Sequence, residues 1–189
     1  MNELPDNESY FPLSGAVVLS DVQRDIVKRF RAVITALAPL YLKAADTKTR
    51  ADDDGALTLL MYHSQDPGIR IEWCVDRHGR IDLTSQIFHP AFSVCFNDKW
   101  EPADCLGGIG CAIAVLRGLV EGRVYSRILW SGSLIAATTD VLEKEDGTSI
   151  ILDREYHLAG VVGALFARRR TISRVDFTEP ARRPGDRRD

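Results

Sequence analysis

Hydrophobic positions along the chain follow two periods. Val22, Ile26, Phe30, Val33, Leu37 and Leu40 recur at helical steps with Arg24, Lys28 and Arg31 between them, predicting an amphipathic helix. Ser20 stands where an N-cap belongs, and Gln23 beyond it completes a capping-box pattern. Pro39 kinks or ends this helix. The polar segment from Ala45 to Gly55 reads as a loop. Leu57 to His63 is then apolar and of strand length, and Gln65-Asp66-Pro67-Gly68 reads as a turn. Ile69, Ile71, Trp73 and Val75 alternate with Arg70, Glu72, Cys74 and Asp76, a period of two that marks a strand with one dry face. Arg77-His78-Gly79 turns the chain, and Ile81, Leu83, Ser85 and Ile87 alternate on the return.

Phe88, Phe92, Phe96 and Trp100 fall four apart, and His89-Pro90 suits the start of a short helix. The alternation of Phe92, Val94 and Phe96 equally suits a strand; the expectation here is the helix. The stretch from Asp104 to Gly122 carries no charged side chain between Asp104 and Arg117. Its apolar residues Leu106, Ile109, Ile113, Leu116 and Val120 keep the helical period, with Ala, Cys and Gly filling the other sides. A helix that is apolar all round is normally buried, so this stretch is the expected core helix, with Gly107, Gly108, Gly110 and Gly118 allowing close approach and Gly122 as its stop.

Arg123 to Trp130 and Ser133 to Leu142 read as a hairpin around Ser131-Gly132, and Asp146-Gly147 as a turn before a strand from Ser149 to Leu152. Leu158, Val161, Val162, Leu165 and Phe166 suit a helix from Glu155 to Arg168, with Arg168, Arg169 and Arg170 complementing the dipole at its end. Thr171 to Phe177 reads as a short edge strand.

These elements give an α+β fold: an antiparallel sheet built as two three-stranded meanders, packed around a central apolar helix, with N- and C-terminal helices flanking it. The expected boundaries are a flexible leader over 1–14, one domain over 15–177 and a disordered arginine-rich tail over 178–189. The element order is similar to that of small bacterial secretion chaperones, acidic α+β proteins that bind other proteins. That likeness is one of element order.

Charge changes the picture next. The net charge of −3 divides into a C-terminal part, Arg168 to Asp189, with eight arginines against four acids, and a preceding body of −7. The body's acidity implies an acidic surface suited to a basic partner. The tail's Arg168, Arg169, Arg170, Arg182 and Arg183 could neutralise phosphates, but no aromatic residues are interleaved to stack on bases. Nucleic acid is therefore not the expected partner. The N-terminal stretch has no basic n-region followed by an apolar run, and no apolar run is long enough to span a bilayer, so a cytoplasmic protein without membrane contact is expected. The cysteines, Cys74, Cys95, Cys105 and Cys111, form no C-x-x-C pair and read as reduced.

Motifs for chemistry fail on inspection. Gly108-Ile109-Gly110 lacks the third glycine of a dinucleotide fingerprint, because Ile113 stands in its place. Asp52-Asp53-Asp54-Gly55 lacks the calcium loop's closing glutamate, because Met61 occupies that position. His63, His78, His89 and His157 are scattered, so no metal and no cofactor is expected. The residues then point to a protein-binding module of chaperone-like or toxin-neutralising type, with Phe88, Phe92, Phe96, Trp100 and Glu101 as its partner-binding set. Two alternatives stand beside it: a nucleic-acid-associated protein using the arginine-rich segment, and an enzyme with a site assembled around His89 and Cys95.

Overall fold

A computed structural model of the chain describes residues 8–13, 18–85, 92–96, 107–156, 169–174 and 176–179. The fold is α+β. Helix α1 (Asp21–Leu37) is followed by strands β1 (Thr47–Ala51), β2 (Leu57–His63), β3 (Asp66–Val75), β4 (Ile81–Ser85) and β5 (Phe92–Phe96). Helix α2 (Gly107–Val120) leads into β6 (Val124–Ser131), β7 (Leu134–Glu143), β8 (Ser149–Tyr156) and β9 (Arg169–Arg174). Both sheets are antiparallel, the first in the order β1-β2-β3-β4-β5 and the second in the order β8-β7-β6-β9. The two meanders expected from periodicity are thus a five-stranded and a four-stranded sheet.

Helix α1 starts as its sequence predicts. Ser20 accepts from the Gln23 backbone, and the Gln23 side chain accepts from the Ser20 N–H at 3.0 Å. The same Gln23 amide donates to the carbonyls of Gly55 and Val75, each at 3.0 Å, so one side chain ties the cap to the first sheet. Ala38 takes a left-handed conformation ahead of Pro39, and the helix ends there. The buried stripe is Ile26, Val27, Phe30 and Ile34, rotated from the expected one: Val22 and Leu40 are exposed. Arg31, expected to point into water, is buried and donates to the carbonyls of Tyr10 and Phe11 at 2.8 and 3.0 Å. Phe11, within the expected leader, is fully buried, and its N–H donates to Thr47 Oγ1 at 2.8 Å.

The first sheet lays Leu57, Leu59, Met61, Ile71, Trp73, Val75, Ile81 and Leu83 into the core, the last five as the alternation in β3 and β4 predicts. Trp73 meets Phe30 edge to face at 4.9 Å. Two local expectations are corrected. Thr47–Ala51 is a strand, not loop: its threonines are β-branched and Thr47 is buried. Phe92–Phe96 is a strand, not the expected short helix, because β4 offers it a full ladder with Val94 opposite Leu83.

Helix α2 buries Cys111, Ala112, Val115, Leu116, Leu119 and Val120. It packs along α1 and touches β4 and β5 of the first sheet and β6 and β7 of the second. An added Cβ at Gly118 would lie 2.4 Å from Leu142 Cδ1 and 3.1 Å from Val124 Cγ2, so the absent side chain lets helix and sheet close together. Gly122 supplies the left-handed stop at φ 69°.

In the second sheet, β8 continues to Tyr156, into the region expected to open the last helix; the rest of that expected helix, 157–168, lies outside the described residues. Arg169 and Arg170, expected at a helix end, begin β9 instead, where they pair across to Trp130 and Leu129. Beyond it, Phe177 is fully buried: its N–H donates to Val120 at 3.2 Å, and its carbonyl accepts from Tyr41 at 2.9 Å. His63 is stacked on Tyr41 at 5.3 Å and lies 5.6 Å from Phe177, a structural role. No described helix is long and apolar enough to cross a membrane.

Candidate binding surface

Side chains alternate across a strand, and residues paired in register share a face. On one face of the second sheet, register therefore assembles three rows running β9-β6-β7-β8. The first is Arg174, Tyr125, Val141 and Ile151. The second is Ile172, Arg127, Thr139 and Arg154, and the third is Arg170, Leu129, Ala137 and Tyr156. These positions hold four arginines, no lysine and no carboxylate, and the next pair along the same face is Glu143 with Ser149. All four arginines are exposed, as are Ile151, Ile172 and Tyr156, while Tyr125, Ala137 and Val141 form a buried bed among them.

Three of these arginines contact tyrosines. Arg127 and Arg174 place their guanidinium carbons 5.4 and 5.5 Å from the centre of the Tyr125 ring. Arg127 Nη2 also donates to the Tyr125 hydroxyl at 2.8 Å. Arg154 Nη1 donates to the Tyr156 hydroxyl at 3.4 Å.

The other face of the same sheet has the opposite character. Ser126 and Asp140 are buried there, and the Ser126 hydroxyl donates to the Asp140 carboxylate. Asp153 pairs in register with Asp140, and Glu155 pairs with Thr138 beside it. Burial, with Asp153 and Glu155 adding repulsion, pushes the Asp140 carboxyl up to about 6, against the lowering effect of the Ser126 hydrogen bond. Arg169 also lies on this side, 5.9 Å from the centre of the Trp130 ring, whose Nε1–H donates to Thr171 at 2.8 Å. The period of two thus puts Asp140, Asp153 and Glu155 on one face and Arg127, Arg154, Arg170 and Arg174 on the other.

Of the residues singled out in the sequence, Arg170 is the one among the described residues that stands on this face. Phe92 and Phe96 sit in β5 opposite Ser85 and Ile81, and Phe88, Trp100 and Glu101 lie outside the described residues. Of the arginines, Arg169 and Arg170 fall on opposite faces of β9, while Arg168, Arg182 and Arg183 lie outside the described residues. Cys95 stands in β5 at the register position of Asp82, with His89 outside the described residues. The Cys74 thiol is free; burial, then Asp82 and neighbouring acids, pushes it up, the reverse of nucleophile activation. Among the described residues no three His, Cys, Asp or Glu side chains are grouped to hold a metal.

Sequence reading missed Tyr125 and Arg127 in β6 and Arg154 in β8 because the two strands meet only through β7. One signal was available: Asp153-Arg154-Glu155-Tyr156 alternates acid with basic or aromatic residues at the strand period. The chain matches no known protein family, no curated protein and no solved structure.

Proposed function

We propose that this chain is a binding module that takes an acidic segment of another protein on the basic face of its second sheet. The observation that carries this reading is the arginine cluster: Arg127, Arg154, Arg170 and Arg174, brought together from three strands in three adjacent rows that hold no carboxylate. Arginine and tyrosine are enriched at protein interfaces and lysine is depleted, which is the composition of this face. Exposed Ile151 and Ile172 add apolar contact area beside the charges. The protein-binding class expected from the sequence is kept, with the partner's charge reversed: the partner is acidic, because it meets this face rather than the body's net negative charge. A basic face on an acidic chain also orients an incoming acidic segment, since approach elsewhere is repelled.

The reading is tested by fluorescence anisotropy with three labelled probes of equal length: a glutamate-serine peptide, a lysine-serine peptide and an oligothymidylate. The glutamate peptide is expected to bind. Its affinity should fall at least about tenfold in the Arg154→Glu/Arg170→Glu variant while the melting temperature stays unchanged, because both positions are exposed. Preference for the lysine peptide, or for the oligothymidylate, would overturn the assignment of an acidic protein partner.

A further inference from the structure

Resting on that reading, we infer that Arg127 and Arg174, seated against Tyr125, form an oxyanion subsite that grips one carboxylate or phosphate group of the partner. Arg174 lies directly across from Tyr125 in the ladder, and Arg127 lies two residues along the same strand. Both guanidinium carbons are within 5.5 Å of one ring centre, which places them within about 11 Å of each other. Tyr125 is only 6% exposed, so the ring that seats them is fixed by the sheet.

Three features make this a recognition site rather than two solvated arginines. The first is pre-organisation: ring contact and the 2.8 Å bond to the Tyr125 hydroxyl limit the freedom of Arg127, which lowers the entropy lost when a ligand is gripped. The second is free donor capacity. A guanidinium has five N–H donors, and Arg127 directs one of its nitrogens to Tyr125. The third is charge that the site itself does not balance. Among the described residues neither arginine forms an ion pair, and the four-strand rows around them contain no carboxylate. Two like charges within about 11 Å of each other repel where screening is incomplete, and a bound oxyanion that accepts from both forks relieves that repulsion. Lysine cannot replace either residue, because a point charge lacks the planar fork.

The test compares lysine substitutions that keep the charge. Binding of the labelled glutamate-serine peptide, and of a matched peptide carrying one phosphoserine, is measured for wild type, Arg127→Lys, Arg174→Lys and Arg154→Lys, each checked by its melting curve. Arg127→Lys and Arg174→Lys should each weaken binding at least about fivefold, whereas Arg154→Lys should stay within about twofold. Tighter binding of the phosphopeptide would identify phosphate as the gripped group, and equal binding would identify carboxylate; both support the subsite. If the peptides bind and all three lysine variants behave alike, the subsite is overturned while the binding face stands. If neither peptide binds the wild-type protein, the binding face and the subsite fall together.

Discussion

Replacing Leu116 by aspartate is expected to abolish the folded state. Leu116 has no solvent exposure and sits on α2, the helix that touches α1 and strands of both sheets. A carboxylate there has no partner and no water. Its cost is several kcal/mol, comparable with the total stability of about 5–15 kcal/mol for a domain. Leu116→Ala gives the graded companion: lost burial plus a residual cavity should cost about 2–5 kcal/mol and leave a cooperative, lower-melting protein. Circular dichroism melts of both variants check this. An aspartate variant melting within a few degrees of wild type would mean that α2 is not the shared core of the two sheets.

The second large effect is a gain. Asp140→Asn should stabilise the protein by about 2–3 kcal/mol at pH 8, with little benefit near pH 4. The Asp140 carboxyl is raised from its ordinary 3.8 to about 6, chiefly by burial. An acid raised on folding holds its proton more tightly in the native state. The native state is therefore unpenalised below about pH 4 and loses stability as pH climbs toward and past about 6. The span from 3.8 to about 6 sets the upper size of the effect, ~3 kcal/mol. Asparagine keeps an oxygen for the Ser126 hydroxyl and removes the charge facing Asp153 and Glu155. Urea unfolding of both proteins at the two pH values isolates this residue. A variant that is less stable than wild type at pH 8 would show that the ionised carboxylate is favoured where it stands.

How much of this was legible beforehand depends on how local each cause is. The Ser20–Gln23 box was readable because a cap is settled within four residues. The strand through Ile71, Trp73 and Val75 was readable because one face is dry and the other wet. β5 was not, since Phe92, Val94 and Phe96 satisfy two periods, and its ladder with β4 settles the choice. β1 escaped notice because Thr-Lys-Thr-Arg-Ala carries no large apolar residue, and its strand identity comes from pairing with β2. The inward turn of Arg31 depended on Tyr10 and Phe11 folding back across it. The basic face was the least legible. Arg127, Arg154 and Arg174 share no local pattern, and only the pairing of β9 with β6, and β8 with β7, sets them side by side. A net charge summed along the chain hides such a face, because the same strands carry Asp140, Asp153 and Glu155 on the other side.

The most direct measurement of the central claim is amide chemical-shift mapping of the full chain titrated with the glutamate-serine peptide. The account predicts the largest shifts on three strands of the second sheet: Tyr125 to Leu129, Arg170 to Arg174, and Arg154 to Tyr156. It further predicts that these shifts shrink together as salt is raised, since the contact is electrostatic and exposed. Shifts confined to the outer positions of the first sheet, such as Lys48, Arg50 and Arg70, would contradict it and move the binding surface elsewhere.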